Sequence, residues 1–157
     1  MATCATRWRA DLKQLSFYLS GERPVDQVLP IIMRGAMAKG QRVLVVADDE
    51  ADLDRLGAAM WNANPAAFVA NGKASDGHAA RQPILLSTEC IAANGAAVIA
   101  LADGRWREEA EGFERALLFF DDRQRDSVRA IWRRFDDRED VEREYYAVED
   151  GKWVKKA

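Results

Sequence analysis

Residues 125–137 carry arginines and apolar residues on a shared helical spacing. Arg125, Arg129 and Arg133 recur at i, i+4 and i+8, while Val128, Ile131, Trp132 and Phe135 recur at i, i+3, i+4 and i+7. A helix on this pattern has an apolar face edged by a basic stripe, with Trp132 at the shoulder between them. Guanidinium groups take carboxylates bidentately and an indole ring takes an apolar side chain, so the stripe could receive an acidic peptide with a hydrophobic end. Arginines on phosphates with a base stacked on Trp132 would be the nucleic-acid version of the same chemistry. The plain alternative is a core tryptophan flanked by solvated arginines paired with Asp126, Asp136 and Asp137. Spacing alone favours that alternative.

Other reactive residue types are sparse. Asp48, Asp49 and Glu50 follow an apolar run and precede a helical pattern, where carboxylates suit the positive end of a helix dipole. A hydrolytic acid pair or a Mg²⁺ site is the functional alternative for these three. Cys90 has no histidine partner in the sequence except His78, which lies in an aperiodic connection, so an inert thiol is expected rather than a nucleophile. One histidine and two cysteines cannot assemble the usual zinc sets. No catalytic residue, cofactor or metal is expected. Trp61 and Phe68 flank a proline-containing turn. They either fold inward or form an exposed anchor pair for a partner.

The elements that must position these residues follow from periodicity. Residues 15–19 and 42–47 read as strands, the second apolar throughout as if buried on both faces. Helical stripes run from Val25 to a stop near Gly40, with Pro30 kinking the helix or marking its first turn, and again over residues 50–61. The opening is therefore β-α-β-α, the grammar of a parallel sheet covered by helices. Residues 62–83 read as a long surface connection, mobile or functional. Strands resume at 83–87, 96–101 and 116–120, a charged helix covers 125–137, a strand covers 143–148, and residues 151–157 read as a tail. The expected fold is a single-domain, Rossmann-like α/β sandwich of three layers with a mostly parallel or mixed sheet. Neither G-x-G-x-x-G nor the P-loop signature is present, and the turns where either would fall bring carboxylates instead.

The chain has 157 residues and a net charge of −3, which argues against wholesale binding to a polyphosphate backbone but allows a local basic stripe. No apolar run approaches a membrane span, and the first 14 residues lack the apolar stretch of a secretory signal, so a cytoplasmic protein is expected.

Taken in order, several stretches resemble one family. They are "FYL" (17–19), "GQRVLVVADDEADLDRLGAAMW" (40–61) with Phe68 soon after, "PILLS" (83–87), "NGAAVIAL" (94–101), "FFD" (119–121), the Arg-x-x-Trp-Arg pattern at 129–133, and "DGKW" (150–153). No single stretch is a strong motif, but their order and spacing are similar to those of the chi subunit of bacterial DNA polymerase III. The resemblance covers residues 15–157 and leaves 1–14 as an N-terminal extension. It implies a Rossmann-like fold without a nucleotide site and a non-enzymatic adaptor of the clamp-loader assembly, monomeric without its partner. It also implies that Arg129, Trp132 and Arg133, with Arg125 beside them, bind the acidic C-terminal tail of single-stranded DNA-binding protein (SSB). Trp61 and Phe68 would face the psi subunit or an equivalent partner. DNA would be reached only through SSB.

Overall fold

A computed structural model describes residues 12–62, 69–150 and 152–157. The chain runs β1 (Gln14–Leu19), α1 (Val25–Ala38), β2 (Val43–Val46), α2 (Glu50–Asn62), β3 (Asn71–Lys73), β4 (Ile84–Ser87), β5 (Val98–Leu101), β6 (Arg115–Phe120), α3 (Arg125–Arg134), β7 (Glu142–Glu149) and β8 (Lys152–Lys155). The strands form one eight-stranded sheet in the order β3-β4-β2-β5-β6-β1-β7-β8. Pairing is parallel from β3 to β7 and antiparallel only between β7 and β8. Parallel neighbours need crossovers that put helices on the sheet faces, so the central strands must be apolar on both sides. All four residues of β2 are buried, as are those of β4 and β5.

Strand alternation sorts the core into two halves. Val43, Val45, Leu117 and Phe119 pack on one face with Leu29 and Met33 of α1 and Leu53, Leu56 and Met60 of α2. Leu44, Ile99, Leu118, Phe17 and Phe120 pack on the other with Val128 and Ile131 of α3 and with Phe135. The architecture is therefore α/β/α in three layers, as the sequence pattern predicts. Since β1 sits between β6 and β7, α3 carries the chain across β1, and this places Phe17 beneath it.

α1 stops where expected. The amide of Gln41 donates to the Ala36 carbonyl at 3.0 Å and that of Gly40 to the Met37 carbonyl at 2.9 Å, with Gly40 at φ 74°. This is the helix-ending motif that wants a residue without a Cβ in the left-handed region. Pro30 lies beyond the first turn, buried inside the helix.

Two expectations are corrected. The connection between α2 and β4 is not structureless: Asn71–Lys73 adds the edge strand β3, and the 3₁₀ turns Ala74–Asp76 and Ala79–Arg81 follow. The closing residues are not a tail, because Lys152–Lys155 pairs antiparallel with β7 in a register that sets Glu149 opposite Lys152. Asp150, at φ 51°, follows β7 in the left-handed region. An Asp-Gly pair between two strand patterns is a hairpin signal in its own right.

Candidate functional site

α3 is launched by a capped 3₁₀ turn, Asp122–Gln124, in which the Asp121 side chain accepts from the Arg123 amide and Gln124 reaches back to the Asp121 amide. The helix then buries Val128 and Ile131 against the sheet and turns Arg125, Arg129 and Arg133 outward. Trp132 is half-buried at the edge of that face. Its ring lies 5.0 Å from Phe17 and 6.2 Å from Tyr145, tilted to both. The Arg143 guanidinium stands over the ring at 4.6 Å from its centroid. Arg143 also donates to the Trp132 carbonyl at 2.6 Å and to Asp136 Oδ1 at 2.7 Å.

The three arginines of the stripe are held to different degrees. Arg125 donates to Asp122 at 2.9 Å. Arg129 has Asp126 Oδ1 only at 3.8 Å, too long for a hydrogen bond, and that carboxylate is 99 % exposed. Arg133 is exposed and has no carboxylate partner among the described residues. Its neighbour Arg134 points elsewhere, into an ion pair with Glu108. Of the pairs expected on the plain reading, Asp126 stands within ion-pair distance of Arg129 without a hydrogen bond, while Asp136 serves Arg143 instead of the stripe.

Tyr145 of β7 adjoins this edge of α3. Burial raises its pKa, while Arg125 and Arg129 act on it in the opposite direction, so its phenol lies within the field of the stripe. Arg143 and Tyr145 belong to the site by position yet are absent from any reading of the helix alone. Their signal is strand alternation: two residues apart, they share one face of β7, paired with Leu15 and Phe17 of β1. The strand pattern does not say which face meets α3.

The other candidates separate from this site. Trp61 is 48 % exposed in the last turn of α2, on the opposite side of the sheet from α3. Phe68 lies outside the described residues. Asp49 caps α2 by accepting from the Asp52 amide at 2.9 Å, and Glu50 pairs with Lys73 at 3.4 Å. Asp48 is held by Arg105 and, at 3.0 Å, by Arg107. These carboxylates thus cap and pair, and no group of three metal-ligating side chains occurs among the described residues. Burial, with Glu109 nearby, raises the Cys90 pKa, which keeps it a thiol. No hydrogen bond joins it to His78, which precedes the 3₁₀ turn at Ala79. No described helix is long and apolar enough to cross a membrane.

The sheet, parallel except at its β7–β8 edge and covered by helices on both faces, makes the chain a single-domain α/β sandwich. The family model described as DNA polymerase III chi subunit, HolC, matches residues 12–141 of the 157, and the chain belongs to that family. It is accordingly a DNA polymerase III accessory subunit. No curated protein matches the chain.

Proposed function

We propose that this protein is a non-catalytic replisome adaptor that binds the acidic C-terminal tail of SSB in the notch between α3 and β7. Arg129 and Arg133 take carboxylates of the tail, Arg125 can exchange Asp122 for another, and the last apolar side chain lies beside Trp132 and Tyr145. The observation that carries the reading is the exposed, unneutralised Arg133 next to a half-buried tryptophan in a chain of net charge −3. A charge left unpaired at a surface loses nothing by waiting for a partner, and gains charge-assisted hydrogen bonds when one arrives. Contact with psi or an equivalent clamp-loader partner is assigned to Trp61 and Phe68, and the protein works in the cytoplasm.

Direct stacking of a nucleic-acid base on Trp132 is disfavoured because Phe17 and Arg143 already lie against the ring. The test is retention of the protein on immobilised SSB, whole or lacking its last residues, alongside a bare unstructured oligonucleotide. Retention only by whole SSB is the expected result. Equal retention by truncated SSB, or by the oligonucleotide alone, refutes the reading.

A further inference from the structure

A trough runs along the other face of the molecule, between α1 and the strands β1, β7 and β8. Its upper part, about 260 Å³, is walled by Ile31, Ile32 and Gly35 of α1 on one side and by Tyr18, Tyr146 and Trp153 on the other. A lower hollow of about 590 Å³ adjoins it and shares the lining residues Gln41, Val98 and Arg115. Four cations line the pair, Lys13, Lys39, Arg42 and Arg115, against one carboxylate, Glu114. Glu144 stands 3.8 Å from Arg115 and is shared with Gln14, Ser16, Tyr146 and Lys155, so it offsets the Arg115 charge only in part.

Two observations point to a ligand here. Trp153 Nε1 and Arg115 Nε are both buried, and neither has an acceptor. The other end of the same guanidinium is satisfied by the Ser16 hydroxyl at 3.2 Å and the Tyr18 hydroxyl at 3.4 Å, so the vacancy is confined to the atom nearest the chain. Buried donors are nearly always paired, and these two belong to residues that line the trough. The second observation is Gly35. Glycine inside a helix is unfavourable, and a Cβ there would meet nothing within 4 Å, so helix packing does not demand it. Its bareness opens the trough beside Ile31, one of the exposed large apolar residues, at 41 %.

We propose that this trough is a second docking site, for an internal acidic peptide segment that lays an aliphatic side chain against Gly35 and Ile31 and brings carboxylates to the cations that line it. The charge balance selects an acidic ligand. The walls select peptide over nucleic acid, because the aromatic faces are spent on one another: Tyr18 stacks on Tyr146 at 5.0 Å and 10°, and Trp153 meets Tyr18 edge-on at 81°. Phe119 stacks on Tyr18 as well, at 5.0 Å and 13°, so that ring has no free face for a base, whereas an aliphatic side chain needs only the gap. The hairpin that supplies Trp153 lies past residue 141, where the family match ends.

The test is an NMR titration of the ¹⁵N-labelled full chain with the capped peptide acetyl-Glu-Asp-Leu-Glu-Asp-Leu-Gly-amide, which has no terminal carboxylate. The indole N–H signals of Trp153 and Trp132 are assigned from Trp153→Phe and Trp132→Phe. Saturable movement of the Trp153 signal is expected. Gly35→Leu, which fills the gap with a better helix former, should weaken the peptide at least tenfold without lowering Tm. Ile31→Glu, at an exposed position, should do the same by repelling carboxylates. Movement of Trp132 alone overturns the proposal, as does unchanged affinity in both variants. It is also overturned if oligo-dT but not the peptide moves the Trp153 signal, or if dilution alone moves it, since the occupant would then be nucleic acid or a second copy.

Discussion

Replacing Arg133 by alanine isolates the group on which the tail-binding reading rests. Arg133 has no carboxylate partner among the described residues to give up on binding, so its whole interaction with a tail carboxylate counts toward affinity. A hydrogen bond to a charged group contributes about 1.5–3 kcal/mol, and an exposed site belongs at the lower end. At about 1.4 kcal/mol per tenfold, Arg133→Ala should weaken an acidic tail peptide about tenfold. Arg129→Ala should cost nearly as much, because Asp126 stands at 3.8 Å and is fully solvated. Arg125→Ala should cost less, about threefold, since Arg125 must first leave Asp122, to which it donates at 2.9 Å, and one carboxylate is exchanged for another. Arg134→Ala is the internal control: one residue along, it points about 100° away around the helix and pairs with Glu108. Fluorescence anisotropy of a labelled SSB tail peptide, at two salt concentrations, measures all four. The expected order is Arg133 and Arg129, then Arg125, then Arg134 with no effect, and the differences should shrink as salt rises. If Arg134→Ala weakens binding as much as Arg133→Ala, the stripe is only a diffuse positive field and the notch is wrong. If Arg133→Ala binds like the native chain, the site lies elsewhere.

Further outcomes follow from the side chains around the notch and beneath the trough. Arg143→Leu removes the guanidinium 4.6 Å above Trp132 and its bond to the Trp132 carbonyl, so the tail peptide should bind several-fold more weakly and the Trp132 indole signal should shift even without peptide. An unshifted signal would mean that Arg143 does not set the ring. Burial pushes the Tyr18 phenol up to about 12 from its ordinary 10.0, so the native state keeps a proton that the unfolded chain has lost. Its contribution is complete below pH 10 and disappears as pH rises through 12, with a loss of about 1.4 kcal/mol already at pH 11. Urea unfolding at pH 8 and pH 11 should show that fall, and Tyr18→Phe should lessen it. An equal fall in both proteins assigns the alkaline loss to other groups.

The layered fold was legible because its determinants are local. The apolar run at residues 43–46 can only be a strand buried on both faces, and the stop at Gly40 is written in one glycine at positive φ. β3 was not legible, because "NGK" has neither apolar run nor alternation and becomes a strand only by pairing with β4. The β7–β8 hairpin was half-written: Asp150 and the glycine after it are turn chemistry, but Trp153 and Val154 alone are too short to announce a strand. In the notch, helical spacing placed Arg125, Arg129, Trp132 and Arg133 correctly on one edge of α3. It could not reach Arg143 and Tyr145, which meet that edge only because α3 crosses β1 and drops onto β7. Nor could it pair the acids: Asp136 looks available to the stripe in sequence and is taken by Arg143 in space.

That pairing explains how an acidic chain can offer a basic notch. Net charge counts every arginine alike, but Arg55, Arg105, Arg107, Arg123 and Arg138 each stand within ion-pair distance of an aspartate or glutamate. Such pairs contribute little field beyond a few ångströms, because the opposite charges are adjacent and the solvent screens what remains. The field that a ligand meets comes from charges whose partners are missing or loosely held, and on α3 those are Arg133, with no partner among the described residues, and Arg129, whose exposed partner Asp126 stands at 3.8 Å without a hydrogen bond. Adding a carboxylate within reach of Arg133 should therefore impair the notch more than adding one elsewhere at the same net charge. Ala130→Glu would do this, at an exposed position one turn back on α3, three residues before Arg133. If the position of the added charge made no difference, affinity would be governed by the total after all, and the specificity assigned to this helix would be lost.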